Sequence, residues 1–81
     1  MIKVLFFAKY REQLGTESLQ LDNQYSSVQG LIDALKSKGE QWQNVFSQSG
    51  LMVAVNQAMA KHDCPLKDGD EVAFFPPVTG G

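Results

Sequence analysis

Glu71-Val72-Ala73-Phe74-Phe75-Pro76-Pro77 is the stretch from which the fold is read. Its β-branched and aromatic residues favour a strand. The two prolines that follow have no N–H to give and stop further pairing. Side chains alternate across a strand, so the neighbouring phenylalanines face opposite ways. Val72 and Phe74 share one face. Glu71, Ala73 and Phe75 share the other, and Glu71 marks it as the outer one. The start of the chain repeats this logic over Ile2 to Phe7. Ile2, Val4 and Phe6 fall on one face, and Lys3, Leu5 and Phe7 on the other, with Lys3 marking the side open to water. Phe6 and Phe74 are therefore assigned to the core, and Phe7 and Phe75 to the outer face. If the two strands are neighbours, Phe7 and Phe75 make one apolar patch of the kind that marks a partner surface. Otherwise they lie under a loop or pack on Leu5.

Between these strands, Ala8 to Leu14 is polar and helix-compatible, with Gly15 as its cap. Glu17 to Leu21 alternates and suits a half-buried strand paired back on the first. Ser26 and Ser27 offer N-caps to a helix in which Val28, Leu31, Ile32 and Leu35 recur at helical spacing, and Gly39 closes the run. Glu40 to Phe46 adds another turn or two, with Trp42 and Phe46 on one side. Gln48-Ser49-Gly50 marks a loop. Leu51 to Val55 is a third strand, Asn56-Gln57 a tight turn, and Ala58 to His62 a short return strand. Asp63 to Asp70 is turn-rich, with Pro65 and Asp68-Gly69-Asp70 as punctuation. The order is strand, strand, long helix, strand, short strand, strand. One main helix on one face of such a sheet predicts an α+β sandwich of two layers. The expected organisation is one domain over residues 1–77, followed by an extended tail over 78–81.

A chain of 81 residues buries only roughly 60% of its unfolded surface, so a deep catalytic cleft is hard to build. Apolar residues at 43% and charged residues at 20% fit an ordinary soluble domain. The formal net charge is −2, and no Lys/Arg cluster is present. Counterion release on phosphates needs many cations on one face, so nucleic acid is not an expected partner. No apolar run approaches the roughly 20 residues that cross a bilayer, and the opening run is too short for a signal peptide. Cys64 is the only cysteine. It forms no internal disulfide, builds no thiolate-rich metal site by itself, and fits a reducing, cytoplasmic setting.

No constellation of side chains reads as an active site. Cys64 and His62 are close in sequence, but a nucleophile also needs an orienting group and an oxyanion site. Cys64 precedes Pro65, which biases it to an extended turn conformation, and His62 reads as a solvated surface residue. Asp68, Asp70 and Glu71 suit a turn in which Gly69 supplies a positive φ. Gly80-Gly81 remains. A terminal glycine pair is often a frayed end. Here Pro76-Pro77 stiffens the exit along a polyproline-like path, and four further residues reach roughly 13 Å. A segment without Cβ atoms passes into a narrow channel, which places the terminal carboxyl for chemistry inside a partner.

Asp68-Gly69-Asp70-Glu71-Val72-Ala73-Phe74-Phe75-Pro76-Pro77-Val78-Thr79-Gly80-Gly81 resembles the C-terminal signature of the molybdopterin synthase small-subunit family. Lys3-Val4-Leu5-Phe6-Phe7-Ala8, with Arg11-Glu12 and Gly15 after it, is similar to that family's start. Ala54-Val55-Asn56-Gln57 resembles its central hairpin. The resemblance runs the length of the chain and is most specific at its end. It implies a β-grasp, ubiquitin-like fold with the first and last strands side by side, which makes Phe7 and Phe75 neighbours on the open face. It also implies docking through Phe7, Phe75 and Met59, with Arg11 as a polar contact at the rim.

The chemistry implied by the resemblance belongs to Gly81. A carboxylate is a poor electrophile, so an E1-like activating enzyme adenylates Gly81 with ATP. A sulfur donor of the desulfurase or rhodanese type then replaces AMP and leaves a thiocarboxylate. The tail, Val78-Thr79-Gly80-Gly81, enters the large catalytic subunit, and sulfur passes to cyclic pyranopterin monophosphate to build the dithiolene of molybdopterin. Two small and two large subunits are implied, with the catalytic side chains on the large one, no cofactor or metal held by this chain, and no precursor trimming. Carriers for thiamine or thiolated tRNA synthesis, a modifier that forms isopeptide bonds, and a plain interaction domain are the competing readings. Phe74-Phe75-Pro76-Pro77-Val78 resembles the molybdopterin type rather than the other carriers.

Overall fold

The two end strands do lie side by side. In the computed structural model, which describes residues 1–22 and 25–77, β1 (Ile2–Phe6) pairs in parallel with β5 (Glu71–Phe75). The register sets Val4 against Val72 and Phe6 against Phe74. Around this pair the chain adds α1 (Ala8–Leu14), β2 (Ser18–Leu21), α2 (Val28–Lys36), α3 (Glu40–Phe46), β3 (Met52–Val55) and β4 (Ala58–Met59). The five strands form one mixed sheet in the order β2-β1-β5-β3-β4. Only β1 and β5 are parallel; β2 pairs antiparallel to β1, and β3 antiparallel to both β5 and β4. This is the expected α+β, β-grasp arrangement. The expectation of an extended tail over Val78-Thr79-Gly80-Gly81 lies outside the described residues.

The alternation read from the sequence places the core. Ile2, Val4, Phe6, Val53, Val72 and Phe74 are buried, together with Tyr10 of α1, four apolar residues of α2, and Val45 and Phe46 of α3. Phe46 meets Phe74 edge-on at 5.0 Å between ring centroids, and Trp42 meets Phe6 edge-on at 5.6 Å. Such pairs add about 0.5–1.5 kcal/mol each beyond the area they bury.

Three features differ from the sequence reading. Gly39 does not close α2, which ends at Lys36 with Ser37 as its C-cap; Gly39 is the N-cap of a separate α3. The break lets α3 turn Trp42, Val45 and Phe46 toward the aromatic core, a direction that a straight continuation of α2 would miss. The return strand is only Ala58–Met59 instead of reaching His62. After the Ala60 amide donates to Val53, the chain leaves the sheet and its carbonyls cap α2. Cys64 and His62 accept from the amides of Val28 and Gln29 at 3.0 and 2.7 Å. Those first-turn N–H groups have no partner within their own helix, and Ser27 satisfies a third by accepting from Gly30. Finally, Phe7 is not in the first strand but is the N-cap of α1.

Candidate functional site

The helices cover one face of the sheet and leave the other open. On that open face the register aligns Leu5 of β1 with Ala73 of β5, Ala73 with Ala54 of β3, and Ala54 with Met59 of β4. The next row aligns Phe75 with Met52. These are the residues that alternate with the buried set, and they are half-buried or exposed. Lys3 and Glu71 face each other further back, and Ser18 and Gln20 continue the face on β2. The apolar part is therefore concentrated toward one end, where β1 and β5 finish.

Phe7 extends this patch. Its backbone is extended at φ −123° and ψ 158°, so it carries the alternation of β1 one residue further, and its amide donates to the Phe74 carbonyl at 3.1 Å. Ala8 then turns the chain into α1 with φ 55°, a left-handed value that costs a residue with a Cβ about 1–2 kcal/mol. Phe7 is thereby left 45% exposed and Met59, at the sheet edge, 60% exposed. Phe75 is half-buried rather than fully exposed, a correction to its sequence assignment. Met52 lies directly across the ladder from it. The register sets Phe7 beside Phe75 one step past the Phe6–Phe74 pair, which favours the single-patch alternative. Arg11 is exposed on α1, one helical turn beyond Phe7.

Met52 and Ala54, not singled out from the sequence, also belong to the patch, beside Leu5 and Ala73, which the sequence places on the same face as Phe7 and Phe75. The same parity argument, applied to β3 from the buried Val53, identifies Met52 and Ala54. A second omission is polar. Asp70 is buried, accepts from Asn56 Nδ2 at 2.9 Å and from the Lys67 amide at 2.8 Å, and is more than a turn residue. The Asn56 hydrogen bond, then the Lys67 amide, hold its carboxyl below the usual aspartate range. Asn56 Oδ1 accepts from the Glu71 amide at 3.0 Å. Asn56 and Gln57 have φ of 51° and 70°, which suits the tight hairpin turn that presents Met59.

The remaining polar candidates stay apart from the patch. His62 is exposed, and Cys64 is a free, half-buried thiol whose Sγ lies 3.5 Å from the Pro65 carbonyl. Among the described residues no three His, Cys, Asp or Glu side chains gather as a metal site requires, and no helix is long and apolar enough to cross a membrane. A cavity of about 210 Å³ lies between α1 and α3, lined by Gln13, Gln41, Asn44, Val45 and Gln48. It offers amides but no charged or nucleophilic group. What the described surface presents is an apolar patch toward the end of the sheet where β1 and β5 finish.

Comparison with known proteins is consistent with this picture. The ThiS family model matches residues 4–81. The chain is 46% identical to the molybdopterin synthase sulfur carrier subunit of Escherichia coli strain K12, and the match covers 100% of both chains. It is 41% identical to the subunit of the same name from Haemophilus influenzae, again over 100% of both. Among solved structures, the small archaeal modifier protein 1 of Methanosarcina acetivorans superposes with a TM-score of 0.80 at 27% identity, covering 99% of this chain and 95% of that one. The complex of subunits 1 and 2 of molybdopterin-converting factor from Helicobacter pylori contains a chain that superposes at 0.70 with 26% identity, covering 99% and 97%.

Proposed function

The chain belongs to the ThiS family, and from that membership we infer that it is the sulfur carrier subunit of a molybdopterin synthase. The observation that carries this reading is the end-to-end alignment, at 46% identity, with a relative of that name. Gly80-Gly81 and the apolar open face fit the role. A carrier of this kind needs a reactive carboxyl and a surface that docks, and it needs no catalytic side chain of its own.

The working atom is the carboxyl carbon of Gly81. An activating enzyme joins the carboxylate to the α-phosphate of ATP and releases pyrophosphate. A persulfide sulfur attacks the acyl carbon and expels AMP. Thiol cleavage of the resulting acyl disulfide leaves the thiocarboxylate. The large subunit then receives residues 78–81, and its side chains pass the sulfur to cyclic pyranopterin monophosphate; two deliveries complete the dithiolene. The solved complex of the Helicobacter pylori converting factor supports a large-subunit partner, and an assembly of two small and two large subunits follows the family pattern. Phe7, Phe75 and Met59 are the proposed docking residues, with Arg11 at their rim. Their shared open face and the exposure of Phe7 and Met59 support this assignment. A reducing compartment such as the cytoplasm suits both a thiocarboxylate and the free Cys64.

Intact-mass measurement tests the reading. After incubation with ATP, an activating enzyme and a sulfur donor, the chain gains the mass difference between sulfur and oxygen, and deletion of Gly81 abolishes both this gain and pterin conversion. Pterin conversion that survives the deletion would refute the assignment. The likeness to an archaeal modifier protein favours one second reading, attachment of the same activated Gly81 to lysines of other proteins. Covalent adducts formed in the presence of the activating enzyme are its signature.

A further inference from the structure

Past Phe75 the antiparallel ladder between β5 and β3 has lost its donors on one side, because Pro76 and Pro77 carry no N–H. Met52 and Phe75 are the last registered pair. The chain nevertheless keeps its course. Continuing the same register by two residues brings Gly50 opposite Pro77, and there the pyrrolidine ring rests on bare backbone. A Cβ at Gly50 would stand 2.9 Å from Pro77 Cγ and 3.4 Å from both Cβ and Cδ of that ring. Gly50 also has φ +85°, a conformation that residues with a Cβ rarely adopt. Gly15 and Gly69 share the positive φ, but a Cβ on either meets nothing within 4 Å. Those two glycines serve only their turns. At Gly50 the turn and the close approach coincide.

We propose that Gly50 is a positioning residue for the C-terminal segment, its side-chain-free backbone seating Pro77 and so fixing the direction in which the chain leaves the sheet toward the partner's active site. Where hydrogen bonds end, the ring–backbone contact replaces them. It is a suitable device for this place, since proline's fixed φ and a van der Waals seat restrict the exit without any N–H. The inference rests on the sulfur-carrier reading, in which the atom to be delivered lies four residues beyond Pro77. A misplacement of about 1 Å at a reacting centre costs roughly 10²-fold in rate, and a deflection at the base of a segment is carried outward along it.

The test uses the full chain bearing a C-terminal thiocarboxylate, the large subunit, and three variants: Gly50→Ala, Pro77→Gly and the double. Single-turnover sulfur release, affinity for the large subunit and thermal stability are measured for each. Gly50→Ala is expected to slow release about tenfold or more while affinity stays within about threefold, because the open-face residues are untouched. Pro77→Gly leaves Gly50 and its φ in place and slows release as well, which keeps the test decisive even if Gly50→Ala folds poorly. Both substitutions break one contact, so the double variant is expected to be no slower than the slower single. Release at the wild-type rate in Pro77→Gly, or losses that multiply in the double variant, would overturn the proposal. A wild-type chain whose C-terminus never accepts sulfur would instead overturn the functional reading on which it rests.

Discussion

On the helix-covered face of the sheet, Ile2, Val4, Phe6, Val53, Val72 and Phe74 are buried. On the other face the residues that alternate with them, Leu5, Met52, Ala54, Ala73 and Phe75, are half-buried, and Phe7 and Met59 stand exposed. Both sets are apolar, the covered one made of Ile, Val and Phe and the open one of Leu, Met, Ala and Phe. Hydrophobicity therefore does not separate structure from function here; the parity of a residue in its strand and the presence of a covering helix do. A monomer gains nothing in stability from leaving Phe7 and Met59 in water, and an apolar patch confined to the exit end of the sheet is what a docking subunit requires. On the same face Lys3, Glu71, Ser18 and Gln20 are polar, so the apolar content is local and is not a property of the whole face.

The sharpest way to break this comparison is to truncate the two adjacent phenylalanines of β5 separately. Phe74→Ala removes a fully buried ring that packs on Phe6 and Phe46 and is expected to cost about 3–5 kcal/mol, read as a lower urea midpoint at an unchanged slope. Phe75→Ala, on half-buried Phe75, should cost clearly less. Equal losses would mean that the faces are not energetically distinct. The reciprocal experiment reads binding. Phe7→Ala and Met59→Ala are each expected to weaken association with the large subunit by about tenfold, or 1.4 kcal/mol, while unfolding free energy shifts by less than about 0.5 kcal/mol. Titration calorimetry with the large subunit checks the first number and urea unfolding the second.

Strand parity was legible in the sequence because its period of two needs only marker residues, Lys3 and Glu71, to fix which side is wet. That rule places Phe6 and Phe74 inside, where both are buried. The N-terminal capping of α2 was half legible: Ser27 stood out, but the carbonyls of His62 and Cys64 that complete it come from a segment more than thirty residues away in sequence, and no local pattern announces them. The same long-range demand shortened the return strand. Asp70 was hidden for a related reason. Its turn role was evident from Asp68-Gly69-Asp70, but its partner Asn56 belongs to a different turn. At the candidate site, the motif pointed to Phe7, Phe75 and Met59, while Met52 and Ala54 needed the β3 register. Gly50 looked like an ordinary loop glycine until the register brought Pro77 onto it.

Asp70 sharpens the comparison from the polar side, since the hairpin that presents Met59 on the open face is fastened by a buried carboxylate. Its pKa is lowered in the folded state, first by the Asn56 hydrogen bond and then by the Lys67 amide. A depressed folded value means that the stabilisation is fully present above the unfolded aspartate pKa of about 3.9 and is lost as pH falls through the folded value. Asp70→Asn keeps the shape but turns an amide toward the Lys67 N–H. It is expected to cost about 1 kcal/mol near neutral pH, with the deficit against wild type shrinking as pH drops below about 4. Urea unfolding of both proteins across that range gives the curve, and a deficit independent of pH would dissociate Asp70 from the linkage.

The smallest effect expected lies inside the buried layer itself. Tyr10 of α1 is fully buried, and its hydroxyl finds no hydrogen-bond partner among the described residues; burial pushes its phenol pKa up. A buried donor without a partner has given up water for nothing, at about 1–3 kcal/mol, whereas the ring still fills space in the core. Tyr10→Phe keeps the ring and removes the liability. It is expected to be neutral or to raise unfolding free energy by up to about 1 kcal/mol, visible as an unchanged or slightly higher Tm, with affinity for the large subunit unaltered because Tyr10 lies on the covered side. Destabilisation by Tyr10→Phe would mean that the hydroxyl is satisfied in solution and that the covered face, like the open one, has a polar contact still to be accounted for.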